Sequence, residues 1–216
     1  MATVSPSPAN TKDTSKEFPH DYPYYPNPNS PTPNPSQPDV DEKVLQSHHT
    51  AKFVNERGEN IWYQRYNSID DDTTTQNGFK EKGCVVVFCH GIQEHSTRYC
   101  HVMQRLAMVP GVRVIAMDWV VHGMSDSVKI RAKGDNTLLR GYFDRLEHIM
   151  DDMRHLVNKI VMEDMNPYNV IFWGQSFGGL IAGLSACYFR DKLPETMKQG
   201  LILTSAAINV DPEPPK

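Results

Sequence analysis

The apolar run Val170-Ile171-Phe172-Trp173 is followed at once by Gly174-Gln175-Ser176-Phe177-Gly178-Gly179, and Leu180 then opens a helix-like segment. A serine on a sharp strand-to-helix turn needs small residues two positions to either side, because the strained backbone and its close neighbours leave no room for Cβ atoms. Gly174 and Gly178 meet that requirement. The same string also arises by chance as a glycine-rich helix start with a capping serine. What favours a nucleophile elbow is context: a strand before, a helix after, and His90-Gly91 closing an upstream apolar strand.

The rest of the chain agrees with that local geometry. Ala51 to Arg57 and Asn60 to Tyr66 are β-prone runs separated by Gly58-Glu59, the pattern of a hairpin. Asn67 to Lys82 is polar and reads as a solvated loop. Cys84 to Cys89 is a continuous apolar run, as expected for a parallel strand covered on both faces. Ser96 or Thr97 can cap a helix running to about Met108, Pro110-Gly111 ends it, and Val112 to Met117 is a second buried strand. Strand, helix and strand in that order predict a right-handed parallel crossover. After a long stretch to Arg140, apolar residues from Tyr142 to Val161 recur at steps of three and four and predict one long helix. The elbow strand Tyr168 to Trp173, a helix from Gly179 to Arg190 and a last parallel strand, Gly200 to Ser205, complete an alternating β/α order. The expected fold class is α/β with a mostly parallel, doubly wound sheet.

The amino-terminal part differs. Ten of the 16 prolines lie between Pro6 and Pro38, and Met1 to Gln37 has almost no aliphatic residues to offset the entropy of ordering. Residues 1–48 are therefore expected to be a disordered Pro/Asn/Ser-rich tail, and 49–216 a folded domain. Pro28-Asn29-Ser30-Pro31 and Pro35-Ser36-Gln37-Pro38 fit a P-x-x-P spacing that an aromatic-lined partner groove could bind. The net charge of −4 is small and the basic residues are scattered, which argues against nucleic acid as a partner. Cys84, Cys89, Cys100 and Cys187 have no C-x-x-C spacing and are expected as buried thiols. No signal-like or membrane-spanning window is seen, so the protein is expected to be soluble and cytoplasmic.

Acyl transfer by a serine needs a base, a group that orients the base, and donors for the oxyanion. Ser176 is the candidate nucleophile. The N–H of Phe177, at the start of the following helix, is one oxyanion donor. The other should come from the loop after the first central strand, His90-Gly91-Ile92-Gln93-Glu94-His95, and Ile92 is the candidate.

Three segments carry a family resemblance. His90 to Tyr99 resembles the H-G-x-G-E-H-S-x-R-Y segment of monoacylglycerol lipases and their serine aminopeptidase-type α/β-hydrolase relatives. Asp118 with His122-Gly123-Met124-Ser125 resembles their D-x-x-G-H-G-x-S loop, and Gly174 to Gly179 their G-H-S-M-G-G elbow. The matches are colinear from about Phe53 to Asn209. The resemblance implies an α/β-hydrolase fold, Ser176 as nucleophile, Ile92 and Phe177 as oxyanion hole, and Glu94 and Arg98 at the polar end of a pocket for a glycerol-like head group. Read from the residues alone, Glu94 and Arg98 are equally an i, i+4 charge pair at a helix start. The implied substrate is a small lipid ester, with no metal or organic cofactor and a transient membrane-surface contact in the complete protein.

The sequence also departs from the family. Gln93 and Val121 stand where glycines are usual, and Gln175 replaces the histidine before the nucleophile. A positive φ at Gln93 would add strain there and bear on the Ile92 amide. In the family a cap follows the strand represented by Leu201 to Thr204, and two further strands then deliver the catalytic Asp and His, whereas Lys216 lies 40 residues past Ser176. The expectation is a triad-incomplete portion, nearly inert, with about 10³ to 10⁴ over water left if the oxyanion hole survives. His90, His95, His101, His122, His148 and His155 are conceivable bases, but each has a structural reading. Two other readings stay open: a non-catalytic, hydrolase-fold binding protein that uses the Pro-rich tail, and the same chemistry on peptide or haloalkane-like substrates.

Overall fold

The computed structural model describes residues 40–70, 83–126, 143 and 145–208. The P-x-x-P segments, most of the expected loop 67–82, the stretch 127–140, Tyr142 and the carboxyl-terminal 209–216 lie outside them.

Gly58, at φ +76°, turns the hairpin between β1 (His49–Val54) and β2 (Asn60–Tyr66), which pair antiparallel as expected. β3 (Cys84–Cys89) and β4 (Val112–Met117) are parallel neighbours. β5 (Asn169–Gln175) lies on the other side of β3, and β6 (Lys198–Thr204) lies beyond it. The six-stranded order is β1-β2-β4-β3-β5-β6. The chain therefore leaves β3 to one side, crosses back over it from β4, and continues to the other side. That reversal makes the carboxyl ends of β3 and β5 a topological switch point, where open α/β sheets bind ligands.

The continuous apolar strands are explained by two cores. Val85, Val87 and Cys89 of β3 join Ile149, Met153, Ile181 and Phe189 on one face, whereas Val86 and Phe88 join Met103, Ala107 and Val114 on the other. Successive side chains point to opposite faces, so a strand covered on both sides has no polar register to show. The first face is covered by α3 (Leu146–His155) and α4 (Phe177–Phe189), the second by α2 (Cys100–Ala107).

Several expectations are corrected. Within the expected tail, residues 42–46 form the short helix α1 (Glu42–Gln46), capped by Asp41, and its Val44 is fully buried in the second core. One apolar residue among polar ones carries no periodic signal, so this element was not legible. Ser96 does not cap α2. A 3₁₀ turn, Ser96–Tyr99, precedes the helix, and Ser96 is buried and donates from both N and Oγ to Asp118 Oδ1, each at 2.7 Å. The long helix begins at Leu146 and widens into a π-helical stretch, Leu156–Met165, where the buried residues Val157, Val161 and Met165 fall at steps of four. The wider turn keeps that spacing on one face. Of the four free cysteines, Cys89 is buried, Cys84 and Cys100 are half-buried, and Cys187 is exposed.

Candidate active site

Ser176 follows the last residue of β5 and precedes the first of α4, with φ +54° and ψ −123°. A serine side chain rarely adopts this conformation, and it persists only when its surroundings enforce it. They do so here. A Cβ on Gly174 would collide with the Gly178 carbonyl, and one on Gly178 with the carbonyls of Cys89 and His90. The elbow is thus wedged directly against the end of β3. Ser176 N donates to Thr204 O at 3.0 Å, and the Ser176 carbonyl accepts from Gly179 N and Ala207 N, each at 2.9 Å. The helix-start reading therefore fails: Ser176 caps nothing with its side chain.

The loop from β3 is held by side chains. His90 is fully buried, its Nδ1–H donates to Gly91 O at 2.7 Å, and Nε2 accepts from Trp119 N at 3.2 Å. These two bonds assign a neutral Nδ1–H tautomer. Burial drives its pKa down to about 3. Gln93 has φ +58°, and its N–H donates to His122 Nε2 at 3.1 Å, while His122 Nδ1–H donates to Val120 O at 2.9 Å. Burial lowers His122 as well. Val121 has φ +67°. Both residues that stand in place of glycine thus hold the left-handed backbone that a glycine would favour.

Asp118 ties the two loops together. Fully buried, it accepts from Ser96 N, Ser96 Oγ and, at 2.8 Å, Met124 N. Burial pushes its carboxyl up, against the pull of these donors. Gly91 N donates to Glu94 Oε2 at 3.2 Å, and Tyr99 OH donates to the same oxygen at 2.6 Å. Gln175 Oε1 lies 3.1 Å from that hydroxyl, which links the β3 loop to the elbow strand. Burial, and then the Glu94 carboxylate, push the Tyr99 phenol up. Arg98 approaches Glu94 at 3.8 Å and is 62% exposed.

The sequence-predicted residues are therefore placed as follows. Ser176 and Phe177 sit on the elbow, and Ile92, 46% exposed, sits on the neighbouring loop. Glu94 is engaged by its own loop through Gly91 and Tyr99, whereas the Arg98 guanidinium reaches solvent. His90 and His122 have both ring nitrogens occupied, His95 Nδ1 lies 2.5 Å from Thr97 Oγ1, and His155 stacks on Phe53. From the sequence Tyr99, Gln175 and Asp118 carry no role, because the contacts from Tyr99 to Gln175 and from Asp118 to Ser96 join residues distant in the chain. The usable signal was an acid directly at the end of a buried strand. Among the described residues no group of three or more His, Cys, Asp or Glu could hold a metal ion, and no helix is long and apolar enough to cross a membrane.

Comparison with known proteins finds relatives of this chain. An uncharacterized abhydrolase domain-containing protein of Dictyostelium discoideum is 32% identical over 123 residues, 57% of this chain and 11% of that protein. A thermostable carboxyl esterase from Bacillus coagulans, solved with glycerol, matches with a TM-score of 0.52 and 28% identity over 73% of this chain and 44% of its own. A hyperthermophilic esterase from Pyrobaculum calidifontis shares the fold, with a TM-score of 0.52 and 18% identity over 78% of this chain and 46% of its own. The chain thus spans less than half the length of these relatives. The serine aminopeptidase, S33 family matches residues 80–216, which include both loops and the elbow, and the chain belongs to that family of α/β-hydrolases.

Proposed function

We propose that this chain carries the nucleophile side of an esterase-type α/β-hydrolase. Ser176 Oγ attacks the carbonyl carbon of a carboxylic ester, the N–H groups of Ile92 and Phe177 take up the oxyanion, and the alcohol leaves with the serine proton. Water then cleaves the acyl-serine bond and releases the acid. The observation that carries the reading is the left-handed Ser176, wedged by Gly178 against the carbonyls that begin the β3 loop. His90 and His122, which contact that loop's backbone, are committed to main-chain partners. Neither ring is available as the base, and in line with the resemblance the base and the acid that orients it are assigned to polypeptide outside the described residues.

The substrate class proposed is a monoacylglycerol or similar lipid ester. The resemblance of residues 90–99 supports it, as does the carboxyl esterase relative, whose structure holds glycerol. Glu94 Oε2 is turned onto Gly91 and Tyr99, and Arg98, 3.8 Å from the other carboxylate oxygen and 62% exposed, is the residue of the pair with the more open approach to a glycerol head group. A lipid ester of this kind partitions into membranes, so a transient membrane-surface contact belongs to the same proposal.

The test is fluorophosphonate labelling of the full chain with and without added imidazole as an external base, followed by peptide mapping. Labelling is expected at Ser176, accelerated by imidazole, slowed by monooleoylglycerol and lost in Ser176→Ala. Labelling unchanged by Ser176→Ala would overturn the esterase reading. No labelling even with imidazole would do the same and favour a non-catalytic binding protein.

A further inference from the structure

Three successive peptide groups form the turn after β3, and a side chain holds each. The His90–Gly91 peptide donates the Gly91 N–H to Glu94 Oε2 at 3.2 Å. The Gly91–Ile92 peptide accepts at Gly91 O from His90 Nδ1 at 2.7 Å. The Ile92–Gln93 peptide donates the Gln93 N–H to His122 Nε2 at 3.1 Å. A trans peptide is planar, with its N–H and C=O pointing opposite ways. With Gly91 O drawn onto the buried His90 ring, the Ile92 N–H faces away from that ring.

Two of these holders belong to the turn itself. The third, His122, comes from the loop after β4, and it grips the strained residue. Gln93 has φ +58° and an exposed side chain, so burial of its side chain does not hold it there. The β4 loop carries its own strain in Val121, beside the histidine.

We propose that His122 is a positioning residue: its neutral imidazole captures the Gln93 N–H and keeps the turn in the orientation that presents the Ile92 amide, and protonation of Nε2 releases the turn. The inference rests on the oxyanion role proposed for Ile92. With Nδ1–H spent on Val120 O, the Nε2 lone pair is the ring's one acceptor, and an imidazolium there would set N–H against N–H. The titratable groups at the ring are His90, with ring centres 5.6 Å apart, and Asp118 from the end of β4. Asp118 favours the protonated form, but burial outweighs it and lowers His122 below 6.5. The bond is therefore intact above pH 6.5 and lost as the pH falls through the lowered value.

The test uses the full ¹⁵N-labelled chain, following the His122 ring nitrogens and the amide exchange of Gln93 from pH 8 to pH 4.5, corrected for intrinsic rates and compared with core Val87. Expected are an Nδ1–H tautomer at pH 8 and a roughly five- to tenfold loss of Gln93 protection as His122 protonates, the factor for one ordinary hydrogen bond. His122→Gln offers a non-titrating acceptor and should retain protection while losing its pH dependence. His122→Phe should lose protection at every pH. If it fails to fold, as Val87 would report, the wild-type ring shifts and His122→Gln decide. An Nε2–H tautomer at pH 8, Gln93 protection that survives His122 protonation, or an unchanged pH dependence in His122→Gln would overturn the proposal. None of these readouts needs a reactive serine, so failure of the labelling experiment and failure of this inference are separate results.

Discussion

Ser176 and Gln93 both hold a left-handed backbone beyond the end of a parallel strand, at φ +54° and +58°, yet they are kept there by different means. Around Ser176 the glycines at 174 and 178 remove the atoms that would collide, and main-chain bonds to Thr204, Gly179 and Ala207 close the turn. Around Gln93, and at Val121 with φ +67°, no glycine relieves the backbone at the strained position. There polar side chains, His90, His122, Glu94 and Asp118, reach main-chain groups, beside the main-chain bond from Val121 N to Asp126 O. A turn built on close packing tolerates changes of pH but no added atom. A turn built on buried imidazoles tolerates added atoms on its exposed side but depends on protonation state.

The largest expected effect breaks the packed side. In Gly178→Ala the new methyl meets the Cys89 and His90 carbonyls, which are strand-end backbone and cannot step aside. The expected loss is about 3 kcal/mol or more in urea unfolding, the range of strain and overpacking at a rigid site. A loss below about 1 kcal/mol would mean that the elbow yields.

Next comes the pH response of the hydrogen-bonded side. His90 falls from 6.5 to about 3 on folding, so its contribution is full above pH 6.5 and lost as the pH drops towards 3. One such group gives a slope of at most about 1.4 kcal/mol per pH unit within that window. Asp152 acts in the opposite sense. Arg57 meets both of its carboxylate oxygens, yet burial raises it from 3.8 to about 6, so its contribution is full below pH 3.8 and lost as the pH rises through 6. Comparing the chain with His90→Gln cancels Asp152, and the variant's stability should fall less steeply between pH 6 and 4. Parallel curves for the two proteins would show that His90 carries no such linkage.

The smallest effect sharpens the comparison at the strained positions. Gln93→Gly should stabilise by about 1 kcal/mol, since relief of about 1–3 kcal/mol of backbone strain exceeds the added unfolded-state entropy. Val121→Gly removes similar strain but also a buried side chain worth about 1.5–3 kcal/mol, so little or no gain is expected. Thermal unfolding of both variants checks this, and a destabilised Gln93→Gly would show that the residue is not strained.

Legibility in the sequence followed the range of the interactions involved. The hairpin at Gly58, the strands at 84–89 and 112–117, and the elbow at Gly174 to Gly179 depend on neighbours within a few residues, and their spacing announced them. The long helix was recognised as a face, but its passage into π geometry at Leu156 was not, because steps of three and four fit either until the packing is known. Ser96 read as a cap because serine before a helix commonly is one, but its hydroxyl donates to the buried Asp118, 22 residues away, and accepts from Gln64. Glu94 and Arg98 read as a pair, but whether the carboxylate faces a ligand or its own loop depended on Tyr99 and Gln175.

The order of apolar runs and glycines was enough to specify parallel strands joined by helices and a serine at a sharp corner, because those are consequences of local sterics and of period-two burial. Which imidazole nitrogen carries the proton, which way each peptide of the β3 loop faces, and where the Glu94 carboxylate turns were decided only in the folded chain. Those choices are made by side-chain hydrogen bonds to the main chain, one of them from His122 on another loop, in a buried setting where an unmet donor or acceptor costs as much as a strained φ.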